Sequence, residues 1–281
     1  MSTGNLDGTV AIVTGGGQGM GRTMALGLVG AGARVAIVDM DDQTLGAIAR
    51  EVRGLGKVDS VRTIVGDVTQ EETATRVVKE TTEAFGRVGV LVNNAGIGQE
   101  TIRPSFLVAP LRFWEVDPAQ WRRVVDVNAT AQFLMARAAV PHMLAQKWGR
   151  IVNVTTSLDT MIRRGFAPYG PSKAAGEAHA AIMAEDLAGT GVTANVLVPG
   201  GPVNTRMVPA ESVSDRTSLI QPDVMVPPLL WLASSASDGV TGRRFIAALW
   251  DPALPTARAA EKAGAAAAWS SLGRQAIYPK G

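Results

Sequence analysis

The stretch YGPSK, Tyr169 to Lys173, sets a phenol and an ammonium four residues apart. On a helix, residues i and i+4 share a face, so the two side chains project together. Such a pair can do acid–base chemistry. A free tyrosine titrates near pH ~10, and accepting a proton near neutrality requires a fall of roughly 2–3 units, about 3–4 kcal/mol. A neighbouring ammonium favours phenolate, and a general base works best when its pKa lies near the operating pH. Gly170 and Pro171 stand between the two. Proline is tolerated in a helix's first turn, where its missing N–H costs no hydrogen bond. The helix is therefore predicted to begin around Tyr169, with both side chains at the mouth of a site. Alone, the pair is also what any exposed helix can carry.

The elements that would position it are legible as an alternation. Short β-branched runs lie at 9–14, 34–39, 60–65, 88–93, 150–155, 191–198 and 243–249, and helix-like segments near 20–30, 42–54, 70–85, 118–146, 170–189 and 223–234. Most of the runs are continuously apolar, as expected of strands buried on both faces of a parallel sheet. Strands alternating with helices predict right-handed βαβ crossovers and an α/β, doubly wound sheet with helices on both faces. Two long connections, 97–117 and 199–222, follow the fourth and sixth runs, at the strand ends where open α/β sheets bind ligands. Residues 1–250 are expected to form a single domain and 251–281 a C-terminal extension.

The first strand-to-helix turn is TGGGQGMG, Thr14 to Gly21. The fingerprint G-x-G-x-x-G fails in every register. Glycines there still permit a tight turn and a close approach of backbone to a pyrophosphate at a helix N-terminus. The second run ends in Asp39, whose carboxylate can accept hydrogen bonds from ribose hydroxyls and would repel a 2′-phosphate. Met40, Asp41 and Asp42 follow, with no base among them, which favours NAD over NADP. Asp39 could otherwise open a turn or cap the next helix.

Together, T-G-x-x-x-G-x-G at Thr14–Gly21, NNAG at Asn93–Gly96 and Y-x-x-x-K at Tyr169–Lys173 resemble the compact branch of the short-chain dehydrogenase/reductase family, over about residues 7–245. The resemblance implies a Rossmann-type, mainly seven-stranded parallel sheet, a nicotinamide cofactor, and hydride transfer at a secondary alcohol or ketone. It also implies a homo-oligomer, commonly a tetramer. Carried over by residue, the cofactor contacts fall on Gly15, Gln18, Gly19, Met20, Gly21, Asp39 and Met40, then Asp67 and Val68 near the adenine, and Asn94, Ala95 and Gly96. Pro199, Gly200 and Val203 would flank the nicotinamide, with Tyr169 and Lys173 touching it. One extra residue before Thr205 departs from the family spacing and bears on Val203. The catalytic set is Asn128, a hydroxyl residue, Tyr169 and Lys173, with Asn128 holding a water behind the lysine. The hydroxyl falls on Thr156 by counting from Arg150 and back from Tyr169; a one-residue shift would place Ser157 there instead.

Substrate determinants are expected in the two connections and in 158–168. Phe106, Trp114, Met161, Phe166 and Met207 would supply apolar walls suiting a cyclic or aryl alcohol, whereas Arg163, Arg164 and Arg206 could pair with a carboxylate. The tail, with Trp250, Trp269 and Tyr278, could pack on its own subunit or close a neighbour's pocket.

The 27 basic and 25 acidic residues leave a formal charge of +2, with no footprint for nucleic acid or an anionic membrane. There is no cysteine and there are two distant histidines, His142 and His179, which excludes thiol catalysis and leaves no metal site in view. The N-terminus carries no signal-like h-region and no apolar run reaches a membrane span, so a cytoplasmic protein is expected. Competing readings are an NADP-dependent reductase of carrier-bound oxoacyl chains and a catalytically idle dinucleotide sensor.

Overall fold

The computed structural model describes residues 5–269. The seven apolar runs are strands: β1 (Val10–Thr14), β2 (Arg34–Asp39), β3 (Val61–Val65), β4 (Val90–Asn93), β5 (Gly149–Val154), β6 (Val192–Val198) and β7 (Arg243–Ile246). Every residue of β1, β4, β5 and β6 is buried, which is why these runs do not alternate. The strands pair in parallel in the order β3-β2-β1-β4-β5-β6-β7. The order reverses between β1 and β4, and the crevice at that switch point is where ligands of such sheets bind.

Helices cover both faces. On one side α1 (Gly19–Gly30), α2 (Asp42–Gly54), α8 (Val226–Leu232) and α9 (Thr256–Ala263) share a core with the sheet. On the other, α3 (Glu71–Phe85), α5 (Ala131–Ala145) and α7 (Tyr169–Asp186) do so. Asp41, not Asp39, caps α2, accepting from the Gln43 and Thr44 amides.

Two features depart from the expectation. Among the described residues the sheet has eight strands: β8 (Gly264–Ala266), from the tail, runs antiparallel to β7 with Ala266 opposite Arg243. Its backbone satisfies an edge that β7 would otherwise present unpaired. Ala259, Ala260 and Ala263 of α9 are buried in the core beside Trp250, and the Trp250 ring lies 5.6 Å from that of Trp231. The described tail is thus part of its own subunit; Tyr278 lies outside the described residues.

The second departure is in 118–146. The predicted single helix is α4 (Pro118–Val125), a π turn over Asp126–Thr130, and then α5. Such widened turns are frequent at functional sites, and this one carries Asn128.

Candidate active site

A cavity of about 390 Å³ opens at the switch point, and the glycine turn forms one wall of it. A Cβ on Gly21 would sit 2.0 Å from the Gly15 carbonyl oxygen and 2.4 Å from Asn94 Nδ2, so only glycine allows the first turn of α1 to pack there. Asn94 Nδ2 donates to the Thr14 and Gly15 carbonyls at 2.9 and 3.0 Å, and Thr14 Oγ1 accepts from the Asn94 and Ala95 amides at 3.0 Å. The turn and the NNAG segment therefore hold each other. No side chain caps the N-terminus of α1 and its first turn holds no acid, which leaves its N–H groups and positive dipole end for an anion.

Asp39 lines the same cavity. Its Oδ2 accepts from the Gly17 amide at 3.0 Å and its Oδ1 from the Asp41 amide at 3.2 Å. Each oxygen keeps a lone pair for a further donor. Gln18, Gly19, Met20, Met40, Asp67, Val68, Asn94, Ala95 and Gly96 also line the cavity, with Gly15 and Gly21. Pro199, Gly200 and Val203 are not among the lining residues. Val203 instead bridges Ile220, across the base of the 199–222 connection. Thr205, Arg206 and Met207 of that connection reach the cavity.

The chemical end adjoins the Gly96 edge, where a Cβ would lie 3.1 Å from Lys173 Nζ and 3.2 Å from Asn128 Oδ1. Helix α7 begins at Tyr169. The glycine after it is explained by packing: a Cβ on Gly170 would lie 2.2 Å from the Met161 carbonyl oxygen, on the short helix α6 (Leu158–Met161). Lys173 is buried and its Nζ donates to the Val154 carbonyl at 3.0 Å, 5.9 Å from the Tyr169 ring centroid. Burial lowers Lys173 to about 8.

Burial pushes the Tyr169 phenol up to about 12; a hydrogen bond with Thr156 works against the rise and the charge of Glu100 adds to it. Ser157 is engaged elsewhere: it caps α6, accepting from the Thr160 amide, with its Oγ 2.7 Å from Thr160 Oγ1. Of the two candidate hydroxyls, Thr156 is the one that meets Tyr169. Fully buried Asn128 receives the Ile97 N–H on Oδ1 and donates from Nδ2 to the Ile97 carbonyl and Ser172 Oγ, each at 2.9 Å.

Sequence reasoning did not find Glu177, one further turn along α7. It is fully buried, accepts from Arg244 Nε at 2.9 Å and Thr155 Oγ1 at 2.8 Å, and takes the Ala268 amide at 3.1 Å. Arg244 Nη2 in turn donates to the Thr156 carbonyl at 3.0 Å. Tyr169, Lys173 and Glu177, stepping by four, pin α7 to the end of β5 at Thr156, Val154 and Thr155. That period was the available signal. Glu100, which lines the cavity, has no comparable signature.

Of the expected walls, Phe106 packs edge-on to Phe166 at 5.8 Å, and Phe166 on Tyr169 at 6.4 Å. Buried Met161 lies under α7 and Met207 lines the cavity. Trp114 does not join them: it is 69% exposed and packs on Phe113. Arg163 lies over the Phe166 ring and Arg164 is exposed. His179 packs against Phe133, and among the described residues no cluster of His, Asp or Glu could hold a metal ion. None of the described helices is long and apolar enough to cross a membrane.

The short chain dehydrogenase profile matches residues 9–215. A 3-oxoacyl acyl-carrier-protein reductase of Thermotoga maritima is 33% identical over 248 residues, 85% of this chain and 95% of that relative. A 2,5-dichloro-2,5-cyclohexadiene-1,4-diol dehydrogenase of Sphingobium indicum is 31% identical over 246 residues, covering 84% and 93%. Among solved structures, one from Beutenbergia cavernae, provisionally assigned as an NAD(P)-dependent gluconate 5-dehydrogenase and holding NADP at low occupancy, superposes with a TM-score of 0.75. It is 33% identical and covers 88% of this chain and 97% of its own. Profile, relatives and superposition agree with the glycine turn, the NNAG segment and the Tyr–Lys helix in one conclusion: this chain belongs to the short-chain dehydrogenase family.

Proposed function

We propose that the protein is an NAD-dependent oxidoreductase interconverting a secondary alcohol and a ketone, with Tyr169 as general acid–base. The pairing of Tyr169 with Lys173 at the Gly96 edge of a cavity that Asp39 also lines is the observation that carries this reading. The cavity suits a dinucleotide. Gly21 and Gly15 leave backbone bare where a Cβ would close the turn, and the uncapped α1 N-terminus faces where a pyrophosphate would lie. Asp39, with lone pairs to spare, would hold the ribose hydroxyls. Such a cofactor, when bound, exchanges hydride with the carbinol carbon, and its oxidised ring favours phenolate nearby.

Tyr169 takes the alcohol's hydroxyl proton in oxidation and returns it in reduction. Because the phenol starts at about 12 rather than the usual 10, it needs a larger fall than a free tyrosine before it can act as a base. Thr156 Oγ1 hydrogen-bonds the reacting oxygen and stabilises its developing charge. Lys173, held by the Val154 carbonyl, brings its positive end to the same corner. Asn128 has spent three hydrogen bonds on protein partners and fixes the Ile97–Gly98 backbone against α7; one Oδ1 lone pair remains for a water.

Cytoplasmic location and a homotetramer accompany this reading; Phe133 and Ile182, about half exposed on α5 and α7 at 48% and 57%, support self-association. Residues 1–250 would act as one unit with 251–281 as its extension. The rival reading, an NADP-dependent oxoacyl reductase, draws on the T. maritima relative and the bound NADP of the B. cavernae structure. Asp39 opposes it, since a 2′-phosphate would meet a carboxylate with Asp41 and Asp42 behind it, and among the described lining residues the one base is Arg206. Calorimetric titration separates them. NADH should bind about tenfold tighter than NADPH or more, some 1.4 kcal/mol; tighter NADPH binding would overturn the NAD assignment.

A further inference from the structure

Among the described residues that line the cavity, one buried side-chain oxygen makes no hydrogen bond. Glu100 lines the cavity, yet its Oε2 is buried and makes no hydrogen bond. Its Oε1 takes the Gly98 amide at 3.3 Å. The unpaired oxygen lies under Met207, whose Cγ and Sδ approach the same point above Gly98. A buried carboxylate oxygen without a donor is costly and rare in native proteins. A ligand that brings the donor accounts for it, with the flexible Met207 side chain, which also lines the cavity, swung off the oxygen as the ligand enters.

The turn that carries Glu100 is fixed on every side. Gln99 Nε2 donates to the Gly165 and Ala167 carbonyls at 2.7 and 3.0 Å, just ahead of Tyr169. Thr101 Oγ1 donates to the Gly98 carbonyl at 2.8 Å, and Ile97 is held at both its N–H and its carbonyl by Asn128. Glu100 is thus anchored between the Asn128 turn and the approach to Tyr169, close enough for its charge to act on that phenol. The Gln99 bonds to Gly165 and Ala167 tie this turn to the segment that leads into Tyr169, beside the reacting corner.

Resting on the function proposed above, we infer that Glu100 is a specificity residue: its Oε2 accepts a hydrogen bond from a second hydroxyl of the substrate, adjacent to the reacting carbinol, so that the preferred substrates are vicinal diols. A hydroxyl fits better than an ammonium. Burial raises the Glu100 carboxyl, and a hydroxyl can donate to the ionised group or accept from the protonated one, whereas an ammonium can only donate.

The test compares cis- and trans-cyclohexane-1,2-diol, trans-2-aminocyclohexanol and cyclohexanol with NAD+, in wild type, Glu100→Gln and Glu100→Asp. NADH titration of each variant reports that the cofactor site is folded. The expected result is a kcat/KM for one diol at least tenfold above that for cyclohexanol, with the ratio falling about tenfold or more in both variants, as for a lost bond to a charged acceptor. Glu100→Gln should also shift the pH profile for cyclohexanol oxidation to lower pH, because the charge opposing the Tyr169 phenolate is gone. A ratio unchanged by both variants overturns the inference and leaves the enzyme reading standing. So does a preference for the amino alcohol, or a loss confined to NADH affinity, which would assign Glu100 to the cofactor. Binding of NADH without turnover of any of the four alcohols would remove the inference together with the proposed function.

Discussion

Replacing Tyr169 with phenylalanine is expected to cut turnover of a secondary alcohol by about 10²–10⁴-fold, the range of general acid–base catalysis, while NADH still binds. The substitution keeps the ring that packs on Phe166 and removes only the group that meets Thr156. The wild-type pH profile carries a sign of its own. The deprotonated phenol is the base, and burial pushes its pKa up to about 12, so oxidation should quicken as pH rises. Reduction uses the protonated phenol and should gain nothing. In Tyr169→Phe the residual oxidation should lose this dependence. A variant that turns over as fast as wild type would refute the role of Tyr169. A wild type that binds NADH but turns over nothing would support the idle sensor.

Arg244→Met is the substitution expected to cost most in stability. It leaves the Glu177 carboxylate at 0% exposure with no counter-charge. Breaking a buried pair by removing one partner typically costs about 3–5 kcal/mol. The double variant Glu177→Gln/Arg244→Met should recover much of the loss, because the amide oxygen can still accept from the Ala268 N–H while the amide nitrogen donates to Thr155 Oγ1, with no charge left buried. Denaturant unfolding of the four-member cycle measures the coupling. A loss below about 1 kcal/mol in Arg244→Met would mean that water or a rearranged neighbour satisfies Glu177. Because Arg244 also holds the Thr156 carbonyl, the single variant should lower kcat more than it weakens NADH binding.

Much of this is legible in the sequence itself. Continuous apolar runs located seven strands to within two residues at their starts, because two-sided burial leaves a strong compositional trace. The start of α7 was readable from Pro171, whose missing N–H confines it to a first turn. The eighth strand was not, since GAAAA has helical propensity and pairs with β7 only because that edge needs covering. The π turn at Asp126–Thr130 was hidden by a sequence periodic enough for one helix. Residue type alone suggests Trp114 for the substrate wall, but it says nothing about which way a loop faces, and Trp114 is exposed. The choice between Thr156 and Ser157 depended on a single residue of register, and the capping of α6 by Ser157 is what distinguishes their surroundings. Glu100 and Arg244 acquire partners, or lack them, only through contacts distant in sequence.

The central claim is hydride transfer from a carbinol carbon, and an isotope follows it directly. The protein is incubated with NAD+ and cyclohexanol or cyclohexane-1,2-diol deuterated at the carbinol carbon, and the recovered dinucleotide is examined by mass spectrometry. The account predicts one deuterium on the nicotinamide ring of the reduced dinucleotide and a matching yield of ketone, both lost in Tyr169→Phe. Unlabelled dinucleotide, or no reduced dinucleotide from an enzyme that binds NADH, would contradict it.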